Sequence, residues 1–290
     1  MVGWDAILPL LVYIQAHLDD DLSLATLSRR TGLSRSYLHR TFKTVTGETL
    51  RHHVERLRLE HSAFRLAIQD GSLLDIALDC GFRNHETFTR AFRRHFGVPP
   101  QAYRVQARRT LPPADTGIAP TGDAPLAFEL SSTRVVRFRD LHLAFIRHLG
   151  PYESVPQELF DRLAQWGLRQ SIPGPWVWMG IGHDAPGTTS SERLRFDAAL
   201  VVPGPFAVAG QVGHQILAGG DFAVTRHAGP LATLPQAYAT LFPRLLALKR
   251  YRLIGLPAVE IYHTVRPTLG HAVQHTDICL PVTRREDVRS

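Results

Sequence analysis

Residues 71–104 read GSLLDIALDCGFRNHETFTRAFRRHFGVPPQAYR. Ile76 and Ala77 open an apolar pattern and Gly81 interrupts it. Phe88, Ala91, Phe92 and Phe96 then recur at helical spacing until Gly97 and Pro99 end the run. A glycine after Cys80 can take the positive φ that lets two helices cross steeply, and Asn84 is placed to cap the second of them. An earlier stretch, LSRRTGLSRSYLHRTFKTVTG from Leu27, has the same layout. Leu27 aligns with Ile76, Gly32 with Gly81, Leu38 with Phe88, Phe42 with Phe92 and Gly47 with Gly97. Ser34 takes the capping place of Asn84. The repeat predicts two helix-turn-helix units. Between them lies one central helix, roughly Thr49 to Ile68, with Leu50, Val54, Leu57 and Leu66 on or near its inward face.

With Leu38 and Phe42 turned inward, the second helix of the first unit exposes Arg35, Ser36, His39, Arg40 and Lys43. In the second unit Arg83, His85, Glu86, Thr89, Arg90, Arg93 and Arg94 lie outside or at the edge. Such faces suit a DNA major groove. Arginine reads guanine bidentately, glutamate accepts from cytosine, and serine or threonine reads either edge, while flanking cations fix register on phosphates. A single basic helix face is ordinarily just solvated. Two copies on matching apolar cores point to duplex DNA.

Length and charge agree. The chain has 290 residues, enough for about two domains. Its 44% hydrophobic and 20% charged content excludes a disordered or collagen-like chain. The net charge is +7, of which +5 falls in residues 1–110, so a polyanionic partner is expected. Pro9 is the only proline before Pro99, which leaves the first third free to be helical. Residues 110–126, TLPPADTGIAPTGDAPL, read as a solvated linker. No apolar run approaches a membrane span. The apolar N-terminus carries Asp5 where a secretion signal would be basic. Cys80 and Cys279 are too far apart to suggest a disulfide framework or a cysteine-based metal site, and fit a reducing cytoplasm. The expected organisation is therefore residues 1–110, a linker at 111–126, and a second domain at 127–285.

The stretch at 73–104 closely resembles the AraC-type signature, through Ile76, Ala77, Gly81, Phe82, Phe88, Phe92, Phe96, Gly97, Pro100, Tyr103 and Arg104. The likeness of the double unit extends over about 5–105. His85-Glu86 and Arg93 depart from the commoner residues, which leaves the target sequence open. The resemblance implies a transcription regulator with two recognition helices in successive major grooves, joined by a rigid helix, with RNA polymerase as a further partner.

The remainder contains a second repeat. LAFIRHLGPYESVPQELFDRL at 143–163 lies on FAVTRHAGPLATLPQAYATLF at 222–242. Arg147, His148, Gly150, Pro151, Pro156 and Gln157 match Arg226, His227, Gly229, Pro230, Pro235 and Gln236. RFDAALVV at 195–202 lies on HTDICLPV at 275–282, with Asp197 opposite Asp277. Each copy reads strand, Gly-Pro turn, helix, strand, strand, with helices at roughly Val155–Gln170 and Thr233–Lys249. The expected fold class is multidomain: an all-α double helix-turn-helix domain, then an α+β pseudo-symmetric domain with helices on one face of an antiparallel sheet and a groove along the pseudo-twofold. His148 and His227 recur with the turn and are expected to secure it.

This half resembles the GyrI-like effector-binding domain, through the R-H-x-G-P turns and GLPAVEIYHTVRP at 255–267. The resemblance implies a glutamate, here Glu260, among aromatics that bind a lipophilic, often cationic, small molecule. The residues agree in part. On a strand Glu260 and Tyr262 share a face, Trp178 and Gly180 fall on the matching face of the first-copy strand 177–183, and an aromatic wall with one carboxylate suits a cation. Tyr152, Phe160, Trp176, Tyr238 and Phe242 are further candidates for the groove, although each alone is more readily a core or edge residue. An alternative is a small-molecule hydrolase using Tyr152 or Tyr262 with Glu260. Another is a ligand-free domain that contacts polymerase or another protein. The reading adopted is a regulator and not an enzyme, with no catalytic residues, metal or cofactor. His271 and His275 lack a third ligand nearby, and GIGHDAPG at 180–187 lacks the Lys-Ser/Thr of a phosphate loop. His52 and His53 are expected on the surface or in a groove.

Overall fold

A computed structural model describes residues 3–110, 127–208, 210–248, 250–255, 257–263 and 273–285. The chain forms two compact units, one built on Met1–Arg108 and the other on Arg109–Pro205 with Gln215–Ser290. The expected linker at 111–126, Lys249 and His271 lie outside the described residues.

The first unit is helical: α1 (Trp4–Ala16), α2 (Leu24–Thr31), α3 (Arg35–Thr46), α4 (Leu50–Ile68), α5 (Leu73–Asp79), α6 (His85–Phe96) and α7 (Pro100–Thr110). Each of α2 to α6 starts at a side chain that accepts an otherwise orphaned amide: Ser23, Ser34, Thr49, Ser72 and Asn84. Gly32, Gly47 and Gly97 end α2, α3 and α6 in the left-handed region.

α4 serves two cores. Leu50, Val54 and Leu57 pack with Leu27, Leu38 and Phe42. Leu59, Ala63 and Leu66 pack with Ile76, Phe88 and Phe92. At about 100° per residue the two triplets centre roughly 180° apart, so the helix reverses its apolar face between Leu57 and Leu59. The expected inward Leu66 thus belongs to the opposite stripe from Leu50. Phe96 is half-buried against the second core rather than inside it.

His53 corrects the sequence reading. His52 is exposed, but His53 falls one turn before Leu57 and is buried. Its Nδ1 lies 2.7 Å from Glu48 Oε1, which also accepts from Arg56 at 2.6 Å, and Arg56 reaches Glu60 at 3.0 Å. Burial alone would raise the Glu48 pKa, but hydrogen bonds from His53 and Arg56 hold it well below the usual carboxylate range.

The second unit is an antiparallel sheet with two helices. In chain order its elements are β1 (Glu129–Leu130), β2 (Arg134–Phe138), β3 (Leu141–Leu149), α8 (Glu158–Arg169), β4 (Trp178–Gly182), β5 (Arg195–Val202), β6 (Gly213–Leu217), β7 (Gly220–Gly229), α9 (Leu234–Leu246), β8 (Tyr251–Leu253), β9 (Ala258–Tyr262) and β10 (Gln274–Arg284). Sheet order is β1-β7-β10-β9-β4-β5-β3-β6, with β2 also on β7 and β8 on β10. The repeats β3-α8-β4-β5 and β7-α9-β9-β10 lie side by side and meet at β4 and β9. β2 leads into β3 yet pairs with β7, while β6 leads into β7 yet neighbours β3. Each copy therefore lends its leading strand to the other.

The helix expected from Val155 begins at Glu158. Tyr152–Ser154 forms a short 3-10 turn, and Pro156 disfavours the helical conformation at Val155, which is extended. The helix expected to reach Lys249 ends at Leu246. Cys80 and Cys279 are free and buried.

Gly81 holds the second helix-turn-helix crossing. Its φ is +80°, and a Cβ there would lie 2.3 Å from the Leu18 carbonyl oxygen and 2.7 Å from the Arg58 guanidinium. Arg58 donates to the Leu18 and Asp20 carbonyls, both at 2.7 Å. Gly81→Ala is expected to cost about 1–3 kcal/mol through backbone strain, with further loss as the Arg58 contacts shift. Denaturant unfolding of the full chain, followed by helical circular dichroism, measures it.

Candidate functional site

α3 and α6 present matching faces. Arg35, Ser36, His39, Arg40 and Lys43 are all exposed on α3. On α6 and the turn before it, Arg83, His85, Glu86, Arg90, Arg93 and Arg94 are exposed and Thr89 is half-buried. An offset of 50 residues superposes the two sets, and it also superposes the buried pairs Leu38/Phe88 and Phe42/Phe92 that turn both faces outward. Arg94 is engaged within the protein, its guanidinium on the Glu55 carboxylate of α4. Thr89 Oγ1 lies 3.5 Å from His85 Nε2. The remaining cations give a surface able to meet a polyanion.

The second site lies where the sheet repeats meet. Register places Trp178 opposite Tyr262 and Gly180 opposite Glu260, so all four share one face of the sheet. Gly180 and Glu260 are separated by the same 80 residues as Asp197 and Asp277. They are thus counterparts in the repeat, and their direct pairing puts the pseudo-twofold between them. The Glu260 carboxylate accepts from Tyr262 at 2.6 Å and from Tyr238 of α9 at 3.1 Å. Burial raises the Glu260 pKa, partly offset by these two hydroxyls. Burial first, and the adjacent carboxylate second, push both tyrosines well above their usual range.

The aromatic wall comes from the other copy. Phe160 of α8 packs edge-on against Trp178 and Tyr262, with centroids 6.0 and 5.8 Å apart. Trp176 stands behind, edge-on to Trp178 at 5.7 Å, its indole bonded to the Ile172 carbonyl. Phe242 lies 6.3 Å from Tyr238. Phe196, which the sequence reading missed, completes the wall: a Cβ on Gly180 would lie 2.6 Å from its ring and 2.3 Å from the Tyr262 hydroxyl. Tyr152 packs on Phe196 at 5.9 Å, but its hydroxyl donates to the Asp184 carbonyl at 2.8 Å and accepts from the Asp184 amide at 3.1 Å. That hydroxyl is held by the backbone rather than by Glu260, whereas Tyr262 is paired with Glu260. The carboxylate and the two hydroxyls that bond it thus belong to the second copy (Tyr238, Glu260, Tyr262), and Tyr152, Phe160, Trp178 and Phe196 to the first.

The opposite face carries a repeated Arg–Asp–His cluster. Arg147 holds Asp197 at 2.7 and 2.8 Å, with His183 Nε2 at 2.6 Å and Gln215 Nε2 at 2.8 Å from the same carboxylate. Arg226 holds Asp277 at 2.8 and 3.1 Å, with His263 at 3.0 Å. The histidines are also 80 residues apart, a signal that applying the Asp197/Asp277 offset would have found. Burial would raise Asp197, but Arg147 and His183 hold it well below the usual range. Burial lowers His183 against the pull of Asp197. The turn histidines repeat too, His148 with Ser154 at 3.4 Å and His227 with Thr233 at 2.7 Å, in keeping with a structural role at the Gly-Pro turns.

The GyrI-like small molecule binding domain family matches residues 132–283. The chain belongs to this family. In the GyrI-like chain a helix-turn-helix domain of the AraC type matches residues 27–106. It is similar to the right origin-binding protein of Escherichia coli K12, 40% identical over 95 residues, which are 33% of each chain. It is also similar to the regulatory protein SoxS of the same strain, 37% identical over 95 residues, 33% of this chain and 89% of SoxS. The GyrI-like chain spans about a third of the length of the right origin-binding protein. Among solved structures, the DNA-binding domain of AdpA in complex with a target DNA is 28% identical, covering 36% of this chain and 95% of that one, with a TM-score of 0.35.

The two Arg–Asp–His clusters differ in burial, and their worth should differ accordingly. Arg147 and Asp197 are 1% and 0% exposed, whereas Arg226 and His263 are 45% and 40% exposed. Asp197→Ala strands a buried guanidinium and should cost about 3–5 kcal/mol. Asp277 is also buried, at 8% exposed, but its partners reach water, so Asp277→Ala should cost less, about 1–3 kcal/mol. Because the Asp197 pKa is depressed in the folded protein, its contribution is present above the unfolded value and is lost as pH falls through the folded one. Denaturant titrations of both variants at neutral and acid pH measure the contrast.

Proposed function

We propose that the chain is a one-component transcription regulator. Residues 1–110 bind an asymmetric duplex DNA site, and residues 127–285, after a linker at 111–126, bind a lipophilic cation that alters that binding. The observation that carries the ligand reading is the Glu260 carboxylate, partly buried on the pseudo-twofold, held by two tyrosine hydroxyls and walled by the aromatics of the other copy. A desolvated carboxylate favours a cation, and the aromatic faces add stacking and cation–π attraction. The cationic end would lie toward Tyr238, Glu260 and Tyr262, and the apolar body over Phe160, Trp178 and Phe196. For DNA, Arg40 and Arg90 occupy equivalent outward positions from which guanine is read, while Arg35, Lys43, Arg83 and Arg93 meet phosphate.

Glu260→Gln should weaken binding of a lipophilic cation by roughly 10- to 100-fold, since a hydrogen bond to a charged group is worth about 1.5–3 kcal/mol. A matched neutral compound should bind as before. The raised Glu260 pKa adds a pH signature. A cation needs the carboxylate, so its affinity should fall as pH drops through the raised Glu260 pKa while that of the neutral compound stays flat. Calorimetry of wild type and variant with paired cationic and neutral dyes reads both effects, and equal losses for the two dyes would remove Glu260 from the cation site.

Arg40→Ala and Arg90→Ala should each lower specific DNA affinity by about 1–3 kcal/mol. Arg35→Ala should weaken all sequences alike and flatten the salt dependence by about one unit. Footprinting on specific and random duplexes separates the two classes.

A further inference from the structure

The faces of α3 and α6 agree at two positions, Arg40 with Arg90 and Lys43 with Arg93, and differ at three: Arg35/His85, Ser36/Glu86 and His39/Thr89. Only one difference introduces a negative charge. Glu86 is the sole acidic residue of α3 and α6, it is exposed, and no hydrogen-bond or ion-pair partner is found for it among the described residues. It sits in the first turn of α6, two residues after the Asn84 cap and one turn before Arg90.

A carboxylate on a face that approaches phosphates raises the cost of approach. Capping gives no need for it, since α3 starts from Ser34 with the neutral Ser36 in the equivalent place. An acid in the first turn does favour the helix dipole, but that gain is independent of DNA sequence. What repays a carboxylate in a major groove is a base that offers it a hydrogen. Cytosine N4 is such a donor, and guanine, which arginine prefers, is its pairing partner. Glu86 and Arg90, at i and i+4, are neighbours on one helix face and complement a C and a G within one short step of duplex.

We infer that Glu86 accepts a hydrogen bond from cytosine N4 in the major groove and thereby sets the polarity with which the protein lies on its site. The inference rests on the DNA-binding reading above. Two similar reading helices could otherwise engage a pair of similar half-sites in either direction. A carboxylate on α6 facing a hydroxyl on α3 makes the reversed placement unfavourable, because Glu86 would meet a half-site chosen for Ser36 and lose its donor.

The test is selection from a random duplex pool by the full chain, with sequencing, for wild type, Glu86→Gln and Glu86→Ala. The wild-type motif should contain a cytosine in one half-site that is preferred by about tenfold or more. Glu86→Gln should shift that position toward adenine, which glutamine reads. Glu86→Ala should lose preference there and nowhere else, while binding random DNA more tightly because a negative charge is gone. Thermal unfolding of the three proteins accompanies the selection. A lower melting temperature with an unchanged motif assigns Glu86 to the helix dipole and overturns the inference. Identical motifs with identical stability overturn it as well. A wild-type protein that selects no motif overturns the DNA-binding reading, and this inference with it.

Discussion

Two copies of one supersecondary unit meet edge to edge at β4 and β9, and the site around Glu260 depends on what stands on the axis between them. A twofold relation makes residues on the axis counterparts of one another, here Gly180 and Glu260. Identical side chains would put two carboxylates directly across an antiparallel pair, where like charges repel at short range. The chain avoids this by breaking its own symmetry: one counterpart keeps the acid and the other has no side chain. The space left at Gly180 is taken by the Tyr262 hydroxyl, which bonds the acid, and by the edge of Phe196. The site is therefore both symmetric in its frame and polarised in its chemistry.

The frame is held by different means on the two faces of the sheet. On the helix face the contacts are aromatic and tolerate small shifts. On the other face Asp197 gathers Arg147, His183 and Gln215 from β3, the end of β4 and β6. A buried carboxylate that accepts four hydrogen bonds from three side chains is held in place by all of them together. Because β2 and β6 are exchanged between the copies, neither half can be completed without the other. The pseudo-dimer is a single folding unit rather than two modules in tandem.

Much of this was legible in the sequence, for a definite reason. A repeat is a comparison the chain makes with itself, and each matched position carries more weight than an isolated residue. The helix-turn-helix cores, the R-H-x-G-P turns and the Asp197/Asp277 match all came from alignment of copy on copy, and Glu260 with its aromatic neighbours from strand alternation aided by family likeness. What escaped was whatever depends on contacts across the fold. Neither the burial of His53 nor the hold of Glu55 on Arg94 is written in local periodicity. The Tyr152 hydroxyl is drawn to the Asp184 backbone by a chain segment 32 residues away. Phe196 has no aromatic counterpart in the other copy, where Thr276 stands, so the repeat gave no sign of it.

The reversal of the apolar face along α4 has a consequence for how such a chain can change over generations. Its two cores are keyed to opposite sides of one continuous helix, so the helix acts as a gauge block. Adding or removing a single residue between Leu57 and Leu59 would turn one stripe by about 100° relative to the other and move it by about 1.5 Å, unseating one entire helix-turn-helix unit. Substitutions on α4 can drift one at a time, but its length cannot. A change of seven residues, close to two full turns, is the smallest that would return both stripes to within about 20° of the same facing, and it would do so with α3 and α6 set about 10 Å further apart along α4.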